Sequence, residues 1–252
     1  MGAQLLLGDE GLMTTSRSVR LELLRPSEIG AALAENPMVY LPLGTIEWHS
    51  HHLPVGLDAL TAQGVCERAA TDHGGLVYPV LYFGTGGGHS TYPWTVMMPD
   101  PTHIRGLLNH ALARVQDLGV RCAVLFTGHF APEQLEMIAD IERDWNALGG
   151  PLRVVARGIN MADGVGIAPD HAGVFETTVL HALWPDRINL DELAPLDPTQ
   201  PSTDDFDETR HDPGHPLWGV FGPDPRRYDP TRADAALAAI ATWLAAQASA
   251  IR

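Results

Sequence analysis

The chain has 252 residues, of which 45% are apolar and 19% charged. This composition suits a soluble α/β domain with a sizeable core and excludes collagen-like, coiled-coil and disordered proteins. Acidic residues outnumber basic ones 31 to 16, for a formal net charge of -15, which argues against nucleic acid or an anionic membrane as a partner. No apolar run is long enough to span a membrane, and the first twenty residues lack the features of a signal peptide. We therefore expect a cytoplasmic protein.

Short apolar runs alternate with helical patterns along the chain. The runs predicted as buried strands are Met38 to Leu43, Leu76 to Phe83, Cys122 to Phe126 and Leu152 to Arg157. The patterns predicted as helices are Ala59 to Asp72 after a capping Asp58, Thr102 to Leu118, Pro132 to Leu148 and Val174 to Trp184. This alternation predicts an α/β fold with a mostly parallel sheet covered by helices on both faces.

The region from Pro185 to Asp229 is rich in proline and aspartate and has weak periodicity. We expect an irregular excursion here that either serves function or contacts another subunit. A closing helix is predicted from Pro230 to Ala250, capped by Asp229. We expect residues 1–252 to form a single domain, with residues 1–20 as a loose N-terminal extension.

Ligands of open parallel sheets bind beyond the carboxyl ends of the strands. Three of the predicted strands are followed at their carboxyl ends by histidines or carboxylates. Because these ends lie at one edge of a parallel sheet, we expect the side chains to share one cavity. The candidate metal ligands are Glu47, His49, Asp58, His129 and Glu176. Mixed nitrogen and oxygen donors suit zinc, manganese or iron(II). Two divalent metal ions sharing a carboxylate could activate a bridging water and polarise a substrate oxygen.

Each candidate also has a purely structural interpretation. Asp58 could serve only as a helix cap, Glu176 only as a first-turn acid, and His129 only as a buried, hydrogen-bonded histidine. Of the neighbouring His51 and His52, only one can point inward. The metal-site hypothesis therefore depends on the whole set rather than on any member.

Three motifs resemble those of the creatininase (creatinine amidohydrolase) family. The first is the Gly-Thr-x-Glu-x-His pattern from Leu43 to Asp58, the second is Thr127-Gly128-His129, and the third runs from His171 to Thr177. Some positions depart from the family pattern. Ser50 replaces a glycine, Thr127 replaces an asparagine, and Ala131 stands where creatininase itself has an acidic residue, so that only Glu176, or less readily Glu133, can supply that ligand.

The resemblance implies a three-layer α/β/α fold, a two-metal centre and hydrolysis of C–N bonds in cyclic or formylated amides. It implies that Glu47, His49, Asp58, His129 and Glu176 are the ligands, with Asp58 bridging. His171 and Glu176 would be catalytic, His171 as the acid/base group with a pKa suited to neutral pH. The alternative for His171 is a helix-entry residue that bonds the backbone. Relatives form hexamers, so a homo-oligomer is expected.

A glycine-rich segment follows the second predicted strand and has no phosphate-binding pattern. It is either a flexible connection or a wall for a small-molecule substrate. The candidate substrate-binding residues are His89, Ser90, Tyr92, Trp94 and His52.

Three other functions stay open. Within the same fold, a hydrolase could cleave a carbon–carbon bond of a cyclic keto-sugar or keto-inositol, or a peptidase could mature a small peptide. A non-catalytic binding protein that kept the scaffold is the remaining alternative.

Overall fold

A computed structural model describes residues 18–196 and 205–249. Four strands within these ranges form one sheet: β1 (Met38–Leu43), β2 (Leu76–Val77), β3 (Cys122–Thr127) and β4 (Arg153–Gly158). The strand order is β2-β1-β3-β4, and every neighbouring pair is parallel. The carboxyl ends of β1, β3 and β4 therefore meet at one edge of the sheet.

Six α-helices cover the sheet: α1 (Pro26–Glu35), α2 (Leu57–His73), α3 (Thr102–Asp117), α4 (Pro132–Ala147), α5 (Val174–Leu183) and α6 (Ala233–Ser249). Successive strand residues point to opposite faces. Met38 and Tyr40 of β1 accordingly pack with α2, α5 and α6, whereas Val39 and Leu41 pack with α1, α3 and α4. Two apolar cores thus enclose the sheet, and the predicted α/β fold in three layers is confirmed.

The second predicted strand is much shorter than expected. Leu76 to Phe83 was predicted to be extended throughout, but only Leu76–Val77 forms regular pairs. Pro79 lacks a backbone N–H and interrupts the ladder. Single bonds from Tyr78 N to Tyr40 O and from Leu81 N to Pro42 O keep the segment beside β1.

Three helix starts differ from the prediction. Helix α1 was not predicted; it begins at Pro26, and the Glu28 carboxylate accepts from the backbone N–H of Arg25 at 2.8 Å. Helix α2 begins before Asp58 rather than after it, and no side chain caps it. Residues 230–232 form a 3₁₀ turn, capped by Asp229 as expected, and the α-helix begins at Ala233.

The excursion from Pro185 to Asp229 is irregular where it is described, with four short 3₁₀ turns. The expected N-terminal extension lies almost wholly outside the described residues. Among the described helices, none combines the length and the apolar character that a membrane crossing requires.

Candidate metal centre

Two glycines bring the first turn of α2 onto the edge of the sheet. Gly44 follows β1, and a β-carbon there would lie 2.1 Å from the backbone nitrogen of Ala59. Gly128 follows β3, and a β-carbon there would lie 2.1 Å from the carbonyl oxygen of Asp58. Only glycine permits approaches this close. As a result Asp58, which is 1% exposed, lies between the ends of β1 and β3.

Asp58 links two groups of buried side chains. On one side its Oδ2 lies 3.4 Å from Nδ1 of His129, which is 2.8 Å from Oε2 of Glu47. On the other side its Oδ1 lies 3.2 Å from Nε2 of His49, which is 3.5 Å from Oε2 of Glu176. Each triad has donor atoms within 4.8 Å of one another. The five candidate ligands therefore form two adjoining triads that share one carboxylate.

The backbone fixes which nitrogen each histidine turns toward the triads. Nδ1 of His49 lies 3.1 Å from the carbonyl oxygen of Glu47, and Nε2 of His129 lies 3.2 Å from that of Thr85. A carbonyl oxygen can only accept, so these nitrogens donate, and His49 Nε2 and His129 Nδ1 are the ring nitrogens that face the carboxylates. Second contacts of this kind are typical of histidines that bind metals.

A polar network holds the loop that carries His129. The Thr127 hydroxyl donates to the carbonyl oxygen of His129 at 2.7 Å, and the Gln134 side chain donates to that hydroxyl at 3.2 Å. The carbonyl of the same Gln134 side chain accepts from Thr85 N at 3.0 Å. Thr127, which replaces the family's asparagine, thus braces the turn after β3.

Glu176 is oriented by the loop that precedes α5. Ala172 has a φ of 55°, and its N–H donates to Glu176 Oε2 at 2.6 Å. The buried Asp170 caps the helix by accepting from Gly173 N at 3.2 Å and from Phe175 N at 2.8 Å. Burial raises the pKa of Asp170 to about 6, although these backbone bonds oppose the shift.

In the absence of metal, bound protons balance the negative charge of the three buried carboxylates, because the pKa values of His49, His129 and Glu176 are raised. Burial alone would lower the pKa of His49, but Asp58 and Glu176 outweigh it and raise this pKa to about 10. Burial likewise opposes the charge on His129, yet Asp58 and Glu47 hold its pKa well above the usual range. Burial raises the pKa of Glu176 well above that of a free carboxyl. Such a cluster has a strong affinity for positive charge.

The donor chemistry fits divalent cations. Glu47 Oε2, His49 Nε2 and Asp58 Oδ2 are buried, and none has a hydrogen-bond partner of acceptable geometry among the described residues. Each of these atoms belongs to one of the two triads. Two imidazoles and three carboxylates suit zinc, manganese or iron(II) and not a soft thiolate-binding ion.

His171 and His89 border the same cavity, which has a volume of about 240 Å³. Nε2 of His171 donates to the carbonyl oxygen of Trp48 at 3.0 Å, so its Nδ1 is the acceptor. Burial, with the charge of His49, lowers the pKa of His171 to about 3, and the ring is neutral near pH 7. The expectation of an ordinary histidine pKa at this position was therefore wrong. Nδ1 of His89 lies 2.6 Å from Oε1 of Glu47.

The other candidate substrate-binding residues do not line this cavity. Tyr92 is buried and bonds to His211 through its hydroxyl at 2.7 Å. Trp94 is 77% exposed, Ser90 is exposed in a neighbouring groove, and His52 is buried with Nε2 3.3 Å from the Thr177 hydroxyl.

Neither His51 nor Glu133 reaches the two triads. His51 is exposed and meets Trp48 edge-on, with ring centroids 4.9 Å apart. Glu133 is exposed, and its Oε2 accepts from Gly87 N at 3.1 Å. Glu176 is therefore the carboxylate that completes the triad of His49.

Ser50, which replaces a glycine of the family pattern, keeps a glycine-like backbone. Its φ is 58°, in the left-handed region that non-glycine residues adopt at a cost. Ser50 therefore occupies a backbone conformation that glycine adopts at no cost.

Several residues of the site had no signal in the sequence. Phe221 lies in the irregular excursion, yet its ring stacks on His89 at 5.3 Å between centroids. The Thr85 carbonyl and the Gln134 side chain orient His129 through contacts that no motif encodes. The Asp170 cap was recognisable in principle, since an aspartate stands shortly before a predicted helix.

The sequence profile of the creatininase family, described as creatinine amidohydrolase, matches residues 22–248. Creatinine amidohydrolase of Pseudomonas putida is 30% identical over 216 residues, which cover 76% of this chain and 82% of that protein. The mycofactocin precursor peptide peptidase of Mycolicibacterium smegmatis is 31% identical over 180 residues, covering 67% and 68%.

Solved structures agree with these matches. A crystal structure of creatinine amidohydrolase superposes with a TM-score of 0.72 at 26% identity, covering 92% of this chain and 96% of that one. A structure described as creatininase Mn also has a TM-score of 0.72 at 26% identity, with 94% and 98% covered.

Proposed function

The chain belongs to the creatininase family, and we propose that it is a dinuclear metal-dependent hydrolase that cleaves the C–N bond of a small cyclic amide or a formamide. The observation that carries this proposal is the pair of buried triads sharing Asp58. A helix cap or a structural ion pair would not require three buried carboxylates and two imidazoles gathered around one shared aspartate.

The two triads supply the ligands. Glu47, Asp58 and His129 would hold one ion, and His49, Asp58 and Glu176 the other. When bound, a pair of divalent ions would lower the pKa of a water molecule and polarise a carbonyl oxygen. Ala131 offers no ligand, so the triad of His129 would hold its ion without a further acidic side chain from the segment after His129, and Glu176 serves the triad of His49.

His171 is the proton carrier in this proposal. Its Nε2 is fixed by the Trp48 carbonyl, so Nδ1 is the nitrogen available to a proton. The lowered pKa leaves Nδ1 unprotonated before the reaction, and a proton taken up there is held weakly and passed on readily. As water adds to the amide carbon, the water proton moves to Nδ1. The same proton then passes to the leaving nitrogen as the C–N bond breaks, which returns His171 to its neutral form.

The cavity favours a small substrate. Its volume of about 240 Å³ is below the usual range for drug-sized ligands, and Phe130, Ala131 and Pro132 form its apolar wall. Because Ala131 replaces an acidic side chain there, we expect the preferred substrate to differ from creatinine. Similarity to a peptide peptidase supports a second candidate, hydrolysis of a short peptide.

Metal analysis and a substrate screen test the proposal together. Protein purified without chelators should contain about two equivalents of transition metal, and Glu47→Gln should contain fewer. The screen would include creatinine, other cyclic amides, formamides, short peptides and keto-inositols.

Turnover of a cyclic amide or formamide supports the proposal. Turnover only of keto-inositols would assign C–C cleavage instead, and turnover only of peptides would assign the peptidase. Less than one equivalent of metal, with no turnover of any compound, would refute it.

A further inference from the structure

Phe221 connects the irregular excursion to the catalytic cavity. Its backbone forms a two-way antiparallel bridge with His171, from His171 N to Phe221 O and from Phe221 N to His171 O, both at 2.9 Å. Its ring lies nearly parallel to that of His89, with centroids 5.3 Å apart and 12° between the planes. The position of Phe221 therefore sets the positions of both histidines that border the cavity.

Arg210 holds the segment that carries Phe221. Its Nη1 donates to the carbonyl oxygens of Asp205 at 2.8 Å, Val220 at 3.1 Å and Gly222 at 2.6 Å. Two of these acceptors flank Phe221, and the third lies at the other end of the 205–222 segment. Arg210 is 1% exposed, so its buried guanidinium joins the two ends of the 205–222 segment through these hydrogen bonds.

We propose that Arg210 is a positioning residue of the active site, which acts through Phe221 on His171 and His89. Any effect of Arg210 on catalysis rests on the proposed function, whereas its effect on the positions of the His171 and His89 rings does not. Burying a guanidinium is costly unless its donors are satisfied. Hydrogen bonds from Nη1 to the carbonyls on both sides of Phe221 fix its backbone, because they have a direction that apolar packing lacks.

The test separates positioning from stability. Three variants are compared with the wild type. Arg210→Met keeps a long side chain but removes all its hydrogen-bond donors, and Arg210→Lys keeps the positive charge but replaces the guanidinium by an ammonium group. Phe221→Leu keeps an apolar side chain but removes the aromatic ring. The ring current of Phe221 acts on the ring protons of His89, so ¹H–¹³C spectra of histidine-labelled protein report the stacking without substrate or metal. His89→Gln assigns the signal.

We expect Arg210→Met to shift the His89 ring signals in the same direction as Phe221→Leu does. Arg210→Lys should give an intermediate shift. On a substrate found in the screen, kcat/KM of Arg210→Met should fall by about a hundredfold, mainly in kcat, since misplacement of a catalytic group by about 1 Å has that effect. Arg232→Met is the matched control, because the Arg232 guanidinium also donates to a backbone carbonyl, that of Gly166 at 2.9 Å, away from the cavity.

A folded Arg210→Met protein with wild-type His89 signals overturns the proposal, even if its melting temperature falls. If Arg210→Met does not fold, Arg210→Lys is judged by the same criterion. Phe221→Leu leaves the Arg210 contacts in place, so unchanged His89 signals in that variant also overturn the proposal. If the His89 signals shift in Arg210→Met but the wild-type protein turns over no amide, the proposed function is refuted and the positioning role stands.

Discussion

Gly128 lies against Asp58 so closely that a methyl group on Gly128 would come within 2.1 Å of the Asp58 carbonyl oxygen. We expect Gly128→Ala to push the first turn of α2 away from the sheet, and with it the carboxylate shared by both triads. The free energy of unfolding should fall by about 1–3 kcal/mol, and metal content should fall as well.

Gly106→Ala is the control for this substitution. Gly106 lies inside α3 with no atom near its missing side chain, so alanine there should stabilise the helix by up to about 1 kcal/mol. Chemical denaturation and metal analysis measure both variants. Normal metal content in Gly128→Ala would contradict the role of this glycine.

Metal affinity should rise with pH. The folded, metal-free protein raises the pKa of His49 to about 10 from its ordinary value of 6.5, so a proton occupies Nε2 at neutral pH. A metal ion must displace that proton to bind. The apparent affinity of the protein for the ion should therefore rise by up to about tenfold per pH unit for each proton released, until the pH approaches 10. Titration calorimetry with Mn²⁺ in buffers of different ionisation enthalpy counts the protons.

The same shift gives a stability profile for the metal-free protein. A raised histidine pKa contributes stability that is fully present below pH 6.5 and is lost as pH rises toward 10. His49→Gln should remove this loss and release about one proton fewer on Mn²⁺ binding. Equal proton release in His49→Gln and the wild type would contradict the assignment.

His171→Gln should lower kcat by about 10²–10⁴-fold, because it removes the proposed proton carrier. Its metal content should stay at the wild-type level, since His171 is not one of the five proposed ligands. His110→Gln, at an exposed position of α3, is the control and should leave kcat unchanged. A loss of metal in His171→Gln would show that this histidine is a ligand instead.

Ser50→Gly should stabilise the protein by about 1 kcal/mol. The left-handed φ of 58° costs serine about 1–2 kcal/mol, and glycine removes this cost. Part of the gain is lost because glycine gives the unfolded chain more conformational entropy. Ser27→Gly makes the same change in α1, where φ is helical, and should destabilise by about 0.5 kcal/mol. Thermal unfolding of the two variants should therefore move in opposite directions.

Asp170→Ala should cost about 2–3 kcal/mol of folding free energy, because it leaves several buried N–H groups at the start of α5 without an acceptor. Asp229→Ala removes an exposed cap, and about 0.5–1 kcal/mol is expected there. Denaturant titrations compare the two. An equal loss of folding free energy in the two variants would show that the buried cap of Asp170 stabilises the protein no more than the exposed cap of Asp229.

The sequence was sufficient for the α/β alternation and for grouping the candidate ligands, because the carboxyl ends of parallel strands must meet at one edge. It was not sufficient for the segment after Val77, where a continuous apolar run concealed the effect of Pro79 on the ladder. Helix α1 was missed because its apolar face is short. The direction of each imidazole could not be read either, since it depends on backbone carbonyls such as that of Thr85.

Long-range contacts account for the rest. Phe221 and His171 are fifty residues apart, and no periodicity indicates that an irregular segment contacts the histidines of the cavity. The same holds for Arg210, since a lone arginine in a polar stretch is typical of exposed surface. Trp94, by contrast, followed a plausible pattern of aromatic and polar residues, but its backbone turns the ring toward solvent.

Asp58 presents Oδ1 to His49 and Oδ2 to His129, yet it carries only one negative charge. In a centre of two ions, the first to arrive neutralises that charge and then repels the second across a few ångströms of protein interior. In the proposed two-ion centre the second ion would therefore bind more weakly than the first, and scarce metal would leave most molecules with one ion. Turnover that needs both ions would then follow the weaker of the two dissociation constants, so activity would be lost at metal concentrations at which the first ion is still bound.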